Sequence, residues 1–211
     1  MQVQLSNLGK RFNSHWIFKG VEAQLAAGQP VAITGPNGSG KSTLLQVIAG
    51  AMLPSAGSIS WQWQGRTLLP EEVFAHTAIC APYLELPEEL TLLELLQFHG
   101  RLKPWQQGLQ PHQIIELLGL QAVKNRPLQQ FSSGMRQRVK LAQAFCSQAA
   151  LLLIDEPTTN LDVPGIALYH QLVERFANGR LLLVASNNAD EISFCTQTLH
   201  IPHYQQFAQA N

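Results

Sequence analysis

Apolar and polar residues alternate at both ends of the first 26 positions. Val3 and Leu5 alternate with Gln2 and Gln4, which predicts a half-exposed strand. Lys10 to Trp16 is polar with two aromatics, Phe12 and Trp16. Val21, Ala23 and Leu25 alternate again, and Gly28 turns the chain into the unbroken apolar run Val31-Ala32-Ile33, which reads as a buried strand. Leu44 to Ala49 has helical character and Gly50 stops it. Pro54 and Gly57 mark a turn, and Ile59, Trp61 and Trp63 then alternate with polar residues up to Gly65. Thr77 to Ala81 is a short apolar run before Pro82, read as a buried strand.

The pattern changes over residues 87–130, where the period becomes helical. Thr91 and Glu94 form a capping box that opens Leu92–Leu102, with Leu92, Leu95, Leu96 and Phe98 as its apolar face. A loop from Pro104 to Pro111 leads to a second helix, His112–Leu118, stopped by Gly119, and Pro127 precedes a third start. Arg136–Ser147 is helical, capped by Ser132 or Ser133, with Val139, Ala142 and Phe145 on one face. Leu151 to Ile154 reads as a central parallel strand. After it come a helix over Ile166–Phe176, a buried strand over Leu181–Ala185 and a short helix over Asp190–Cys195. An edge strand follows over Thr198–Ile201, and His203 to Asn211 is expected to be a frayed polar tail.

Composition narrows the picture. Charged residues are only 13% and apolar ones 45%, so much of the chain is buried or docks onto something. Lys plus Arg equals Asp plus Glu at 14 each, and there is no basic run, so no nucleic-acid partner is expected. No apolar run reaches the length of a membrane span. The first five residues lack the charged and apolar regions of a secretory leader. Cys80, Cys146 and Cys195 have no metal or redox spacing and are expected to be buried free thiols of a reducing, cytoplasmic compartment.

The chemistry is concentrated in Gly35-Pro36-Asn37-Gly38-Ser39-Gly40-Lys41-Ser42-Thr43, which fits G-x-x-x-x-G-K-[ST] with a strand before it and a helix after it. Its glycines let backbone N–H groups converge on phosphate oxygens, and the helix N-terminus adds partial positive charge. Lys41 suits the β- and γ-phosphates of a nucleotide, and the Ser42 hydroxyl suits Mg²⁺. Asp155 and Glu156 end the later apolar run, where a sheet of this kind binds its ligands. Asp155 can hold Mg²⁺ through water, and Glu156 can orient or deprotonate an attacking water. Phe12 is the candidate for stacking on adenine, with Trp16 second; simple packing of both onto the sheet is the alternative.

These motifs together resemble the nucleotide-binding subunits of ABC (ATP-binding cassette) transporters. Residues 35–43 resemble the family's Walker A, Leu151 to Asp162 its Walker B and D-loop, and Phe131 to Val139 its signature, with Ser132 at the usual distance before Asp155. The resemblance implies an α/β fold: a P-loop NTPase core with a parallel sheet, a small antiparallel β subdomain and an inserted α-helical subdomain at about 87–130, all in a single domain over residues 1–211. It implies an ATPase with ATP and Mg²⁺ as cofactors, acting as a head-to-tail homodimer on the cytoplasmic face of the membrane beside a permease. Ser132, Ser133, Gly134 and Met135 would reach the partner subunit's nucleotide, and Asp162 would lie in the D-loop. A soluble, non-transport cassette and a non-hydrolysing regulatory module are the alternatives.

The pattern departs from the family in three places. Tyr83 stands where the family usually has a Gln that touches Mg²⁺ and couples to the membrane subunit. Asn187 stands in place of a His that contacts the γ-phosphate, so a slower ATPase is expected, and Asn187→His is expected to raise turnover. Ser133 and Met135 replace the usual Gly and Gln, a form that resembles cassettes serving exporter-type permeases.

Overall fold

The computed structural model describes residues 1–205. In chain order the elements are β1 (Gln2–Phe12), β2 (His15–Ala26), β3 (Val31–Thr34), α1 (Lys41–Ile48), β4 (Ala56–Trp63), β5 (Arg66–Leu68), α2 (Pro70–Val73) and β6 (Thr77–Cys80). Next come α3 (Leu92–Leu102), α4 (Pro111–Leu117), α5 (Ser133–Cys146), β7 (Leu151–Asp155) and α6 (Val163–Phe176). The last are β8 (Leu181–Ala185), α7 (Ala189–Ile192), β9 (Gln197–His200) and α8 (Pro202–Gln205). Two compact units share them. One contains Met1–Thr77, Ala150–Asp155 and the chain from Gly179 onward; the other contains Ala78–Ala149 and Glu156–Asn178.

The first unit has an antiparallel sheet in the order β2-β1-β4-β5. Val3 and Leu5 of β1 are buried between exposed Gln2 and Gln4, as the alternation requires. The strand does not end there. Its register slips between Leu5 and Leu8, and Asn7 sits at φ +50°, so the buried face resumes at Leu8. Such a bulge breaks a strict period of two without ending the strand. The unit also holds β7, β8, β3 and β9 side by side, all parallel. Every residue of β7 and β8 is buried, which accounts for their unbroken apolar runs.

The second unit is mostly helical. α3 begins at Thr91, whose hydroxyl accepts from Glu94 N at 3.2 Å while the Glu94 carboxylate accepts from Thr91 N at 2.9 Å. Leu92, Leu95 and Leu96 are buried, but Phe98 is not: it is 52% exposed, with Leu102 one turn later also exposed. At 100° per residue Phe98 lies off the stripe that the three leucines define. α5 and α6 pack together, with the Phe145 and Tyr169 rings edge to face at 6.3 Å. α6 starts three residues before the expected Ile166, because the Asp162 carboxylate accepts from Gly165 N at 3.0 Å and caps it there.

The expected tail is also revised. α8 folds back within the first unit and packs against β2, and residues 206–211 of that expectation lie outside the described residues. Cys80 and Cys146 are buried and Cys195 is half-buried, and none of the three is in a disulfide. Burial pushes the Cys195 thiol up to about 12.

Candidate functional site

β3 delivers the chain into the loop from Gly35 to Gly40, and α1 carries it away. Gly40 takes φ +104° as the N-cap of α1, and no side chain caps that helix. Its amide end therefore stays open to an anion. A Cβ on Gly40 would overlap Ile17 Cγ2 of β2, and one on Gly35 would come within 2.7 Å of Ser39 Oγ. The backbone conformation and these two close approaches require glycine at both positions. Lys41 is only 6% exposed. Its ammonium donates to Gly35 O at 2.7 Å and to Pro36 O at 3.3 Å, which leaves one of its three protons for a ligand. Ser39 Oγ is buried with no hydrogen-bond partner, a polar atom that the loop's own groups do not satisfy.

The acidic end of β7 lies at the same edge. Asp155 is level with Ala185 of β8, and Ala185 is level with Ile33 of β3. At the usual spacing of neighbouring strands, Asp155 is about 10 Å from the loop strand. Asp155 is 2% exposed. Glu156, the next residue, belongs to the second unit and turns away from strand geometry at φ +46°. A glutamate held in the left-handed region is uncommon and marks a position where the backbone is constrained. The Thr159 hydroxyl donates to its carboxylate at 3.4 Å.

No group of three or more His, Cys, Asp or Glu residues among the described residues could hold a metal ion. A Ser42 hydroxyl with an Asp155 carboxylate suits a hard, well-hydrated ion such as Mg²⁺ that takes its other ligands from phosphate and water.

Asn187 follows β8 and meets the loop. Its Oδ1 accepts from Gly35 N at 3.0 Å and its Nδ2 donates to Gly35 O at 2.7 Å. Both ends of that amide are engaged with Gly35, and Nδ2 keeps a second proton. Phe12 and Trp16 also separate. Trp16 is half-buried, packed over Gly9 and flanked by Arg11 and Lys19. Phe12 is 46% exposed at the end of β1, with Lys10 Nζ 5.3 Å from its ring.

The second unit holds the remaining candidates. The Ser132 hydroxyl accepts from Met135 N at 3.2 Å and caps α5, so Ser133, Gly134 and Met135 form its first turn. A Cβ on Gly134 would come within 2.8 Å of Asn160 O, so the backbone at Asn160 lies against Gly134. Arg138 Nη2 bonds the Asp162 carboxylate at 2.6 Å, and that contact, with the Gly165 N–H second, holds Asp162 below the usual carboxylate range. Tyr83 is 47% exposed.

Sequence reasoning missed Gln137. This residue is buried on α5 and donates to Pro157 O at 2.8 Å, next to Glu156. A polar residue on the apolar face of α5 was the available signal. It also missed Gln205, which donates to Ser39 O at 3.1 Å.

The chain matches the family model described as "ABC transporter" over residues 18–159. It is 30% identical over 201 residues to the cytochrome c biogenesis ATP-binding export protein CcmA of Nitrosococcus oceani, a match spanning 95% of this chain and 92% of that protein. A solved ATP-binding subunit of an ABC transporter superposes with a TM-score of 0.80 at 26% identity, covering 95% of this chain and 85% of the other. A dimeric ATP-binding cassette in a post-hydrolysis state, bound to ADP and Pi, superposes at 0.79 with 22% identity, covering 94% and 93% of the two chains. The chain belongs to the ABC transporter family, as one of its ATP-hydrolysing nucleotide-binding subunits.

Proposed function

We propose that this subunit works as one half of an ATP-dependent head-to-tail homodimer on the cytoplasmic face of a membrane, where it drives a permease. The observation that carries the reading is the shared edge: the loop after β3, Asp155 at the end of β7 and the open end of α1 lie at the carboxyl ends of parallel strands. The amides of Gly38 to Thr43, with those of Gly35, Pro36 and Asn37 shaping the loop's entry, cradle the β-phosphate, and the remaining Lys41 proton reaches the β- and γ-phosphates. Phe12 stacks on adenine, a role its exposure allows and Trp16's packing does not. Ser42 and Asp155 are the residues that would hold Mg²⁺, with Tyr83 a weaker candidate from the resemblance alone, and the ion would supply positive charge to the phosphates.

Glu156 orients the attacking water and accepts its proton. The Ser132 hydroxyl keeps a proton to donate while its oxygen caps α5, so Ser132, Ser133, Gly134 and Met135 present a helix N-terminus to the partner subunit's γ-phosphate. Asp162 holds the D-loop against α5 through Arg138. ATP thus joins the two subunits, and hydrolysis separates them. The second unit exposes Tyr83, Leu84, Phe98 and Leu102, apolar surface that supports a permease contact there. No helix among the described residues is long and apolar enough to cross a membrane. Export is the proposed direction, supported by the Ser132 to Met135 signature form and by the export protein to which this chain is similar.

The test is MgATP turnover by Glu156→Gln. Loss of a general base predicts a fall of about 10²–10⁴-fold with nucleotide affinity kept. Turnover within a few-fold of wild type would remove Glu156 from the mechanism.

A further inference from the structure

The phosphate loop is held from outside by one stretch of chain, the part that follows β8. Asn187 holds both backbone groups of Gly35, accepting from its N–H at 3.0 Å and donating to its carbonyl at 2.7 Å. These groups lie 152 positions apart in sequence. Farther along, His200 Nδ1 pairs with the Thr34 hydroxyl at 2.9 Å, the residue just before Gly35. Pro202 lies so close to Gly35 that a Cβ there would come within 2.9 Å of its Cδ. Gln205 donates to Ser39 O at 3.1 Å, at the other end of the loop.

Gly35 O has a second donor. It accepts from Lys41 Nζ, also at 2.7 Å, so one carbonyl receives both the Asn187 amide and the Lys41 ammonium. The direction of that carbonyl sets where the ammonium sits, and Asn187 sets the direction of the carbonyl. A primary amide is suited to this work, because its oxygen and nitrogen point the same way and bond the N–H and C=O of one residue together. The two ring nitrogens of a histidine diverge, so a histidine at this position can make only one of the two bonds.

We propose that Asn187 is a positioning residue for the phosphate loop, acting on Lys41 through Gly35, with Gln205 bracing the loop at Ser39. The inference rests on the nucleotide reading of the loop. It differs from a γ-phosphate contact in a way that ADP exposes. A γ-contact is absent from ADP, whereas a disordered loop binds ADP and ATP equally badly.

The experiment measures MgADP and MgATP affinity, and turnover, for wild type, Asn187→Ala, Asn187→His and Gln205→Ala. Asn187→Ala, which loses both bonds, should weaken MgADP and MgATP by the same factor, about tenfold, and Asn187→His, which keeps one bond, should weaken both by a smaller common factor. KM should rise by each variant's own factor while kcat stays within about threefold. Gln205→Ala, which removes a single bond, should show a smaller shift of the same kind. Unchanged ADP affinity in Asn187→Ala, or tighter ATP binding and faster turnover in Asn187→His, would overturn the proposal. If Asn187→Ala melts early, Asn187→His fills the same space and gives the same comparison. Wild-type protein that binds neither nucleotide would instead overturn the reading of the loop itself, and this proposal with it.

Discussion

Gly40 shows what a single position contributes. Its φ of +104° is a left-handed value, and the space where a Cβ would stand is filled by Ile17. Alanine there would strain the backbone and strike a side chain of a neighbouring strand. Left-handed strain alone costs on the order of 1–3 kcal/mol. Gly40→Ala should therefore lower the melting temperature by several degrees and reduce nucleotide affinity at least about tenfold, measured as binding of MgADP. Affinity within twofold of wild type would show that the loop adjusts around the methyl group. The motif residues were legible in the sequence because each does local work: glycines for a tight turn, a lysine and a hydroxyl for phosphate and metal. Asn187 stood out only through the resemblance, without its Gly35 contact, and Gln205 not at all, because their partners lie 152 and 166 positions away. On the positioning role proposed for Asn187, Asn187→His weakens nucleotide binding and does not raise turnover, the opposite of what the resemblance implies.

At the scale of elements, α3 carries a pH-dependent property. His99 on its inner side stacks on Trp105 at 4.7 Å and bonds the Ser147 hydroxyl at 2.8 Å. Gln143 Nε2 donates to its other ring nitrogen at 3.2 Å, which fits a neutral ring. Burial, with Lys103 second, lowers its pKa from 6.5 to about 4. The unfolded chain therefore binds a proton that the folded chain refuses between those values. The stability this histidine contributes is fully present above about 6.5 and is lost as pH falls toward about 4. The drop in melting temperature on acidification through this window should shrink in His99→Gln; an unchanged drop would place the acid sensitivity elsewhere. Element boundaries were legible where the side chains advertise them, as with the Thr91 and Glu94 box of α3. They were missed where geometry breaks the period, as at the Asn7 bulge in β1, or where a carboxylate caps a helix early, as Asp162 does for α6.

At the scale of the whole molecule, the chain divides its chemistry between its two units. The phosphate loop, Asp155 and Asn187 belong to the first, and Glu156, Tyr83 and the capped start of α5 belong to the second. Strands alternating with helices made the α/β class readable, and the loop, signature and Walker B order made the family readable. What the order of motifs could not supply is the partner: Ser132 faces a nucleotide only if a second copy brings one. The central claim is therefore that hydrolysis requires two copies, with Glu156 as the base. The most direct measurement is specific MgATPase activity across a wide range of protein concentration, with Glu156→Gln alongside. Specific activity should climb with concentration before levelling off, and Glu156→Gln should be at least about a hundredfold slower at every concentration. Specific activity that stays constant as the protein is diluted, or Glu156→Gln turnover within a few-fold of wild type, would contradict this mechanism.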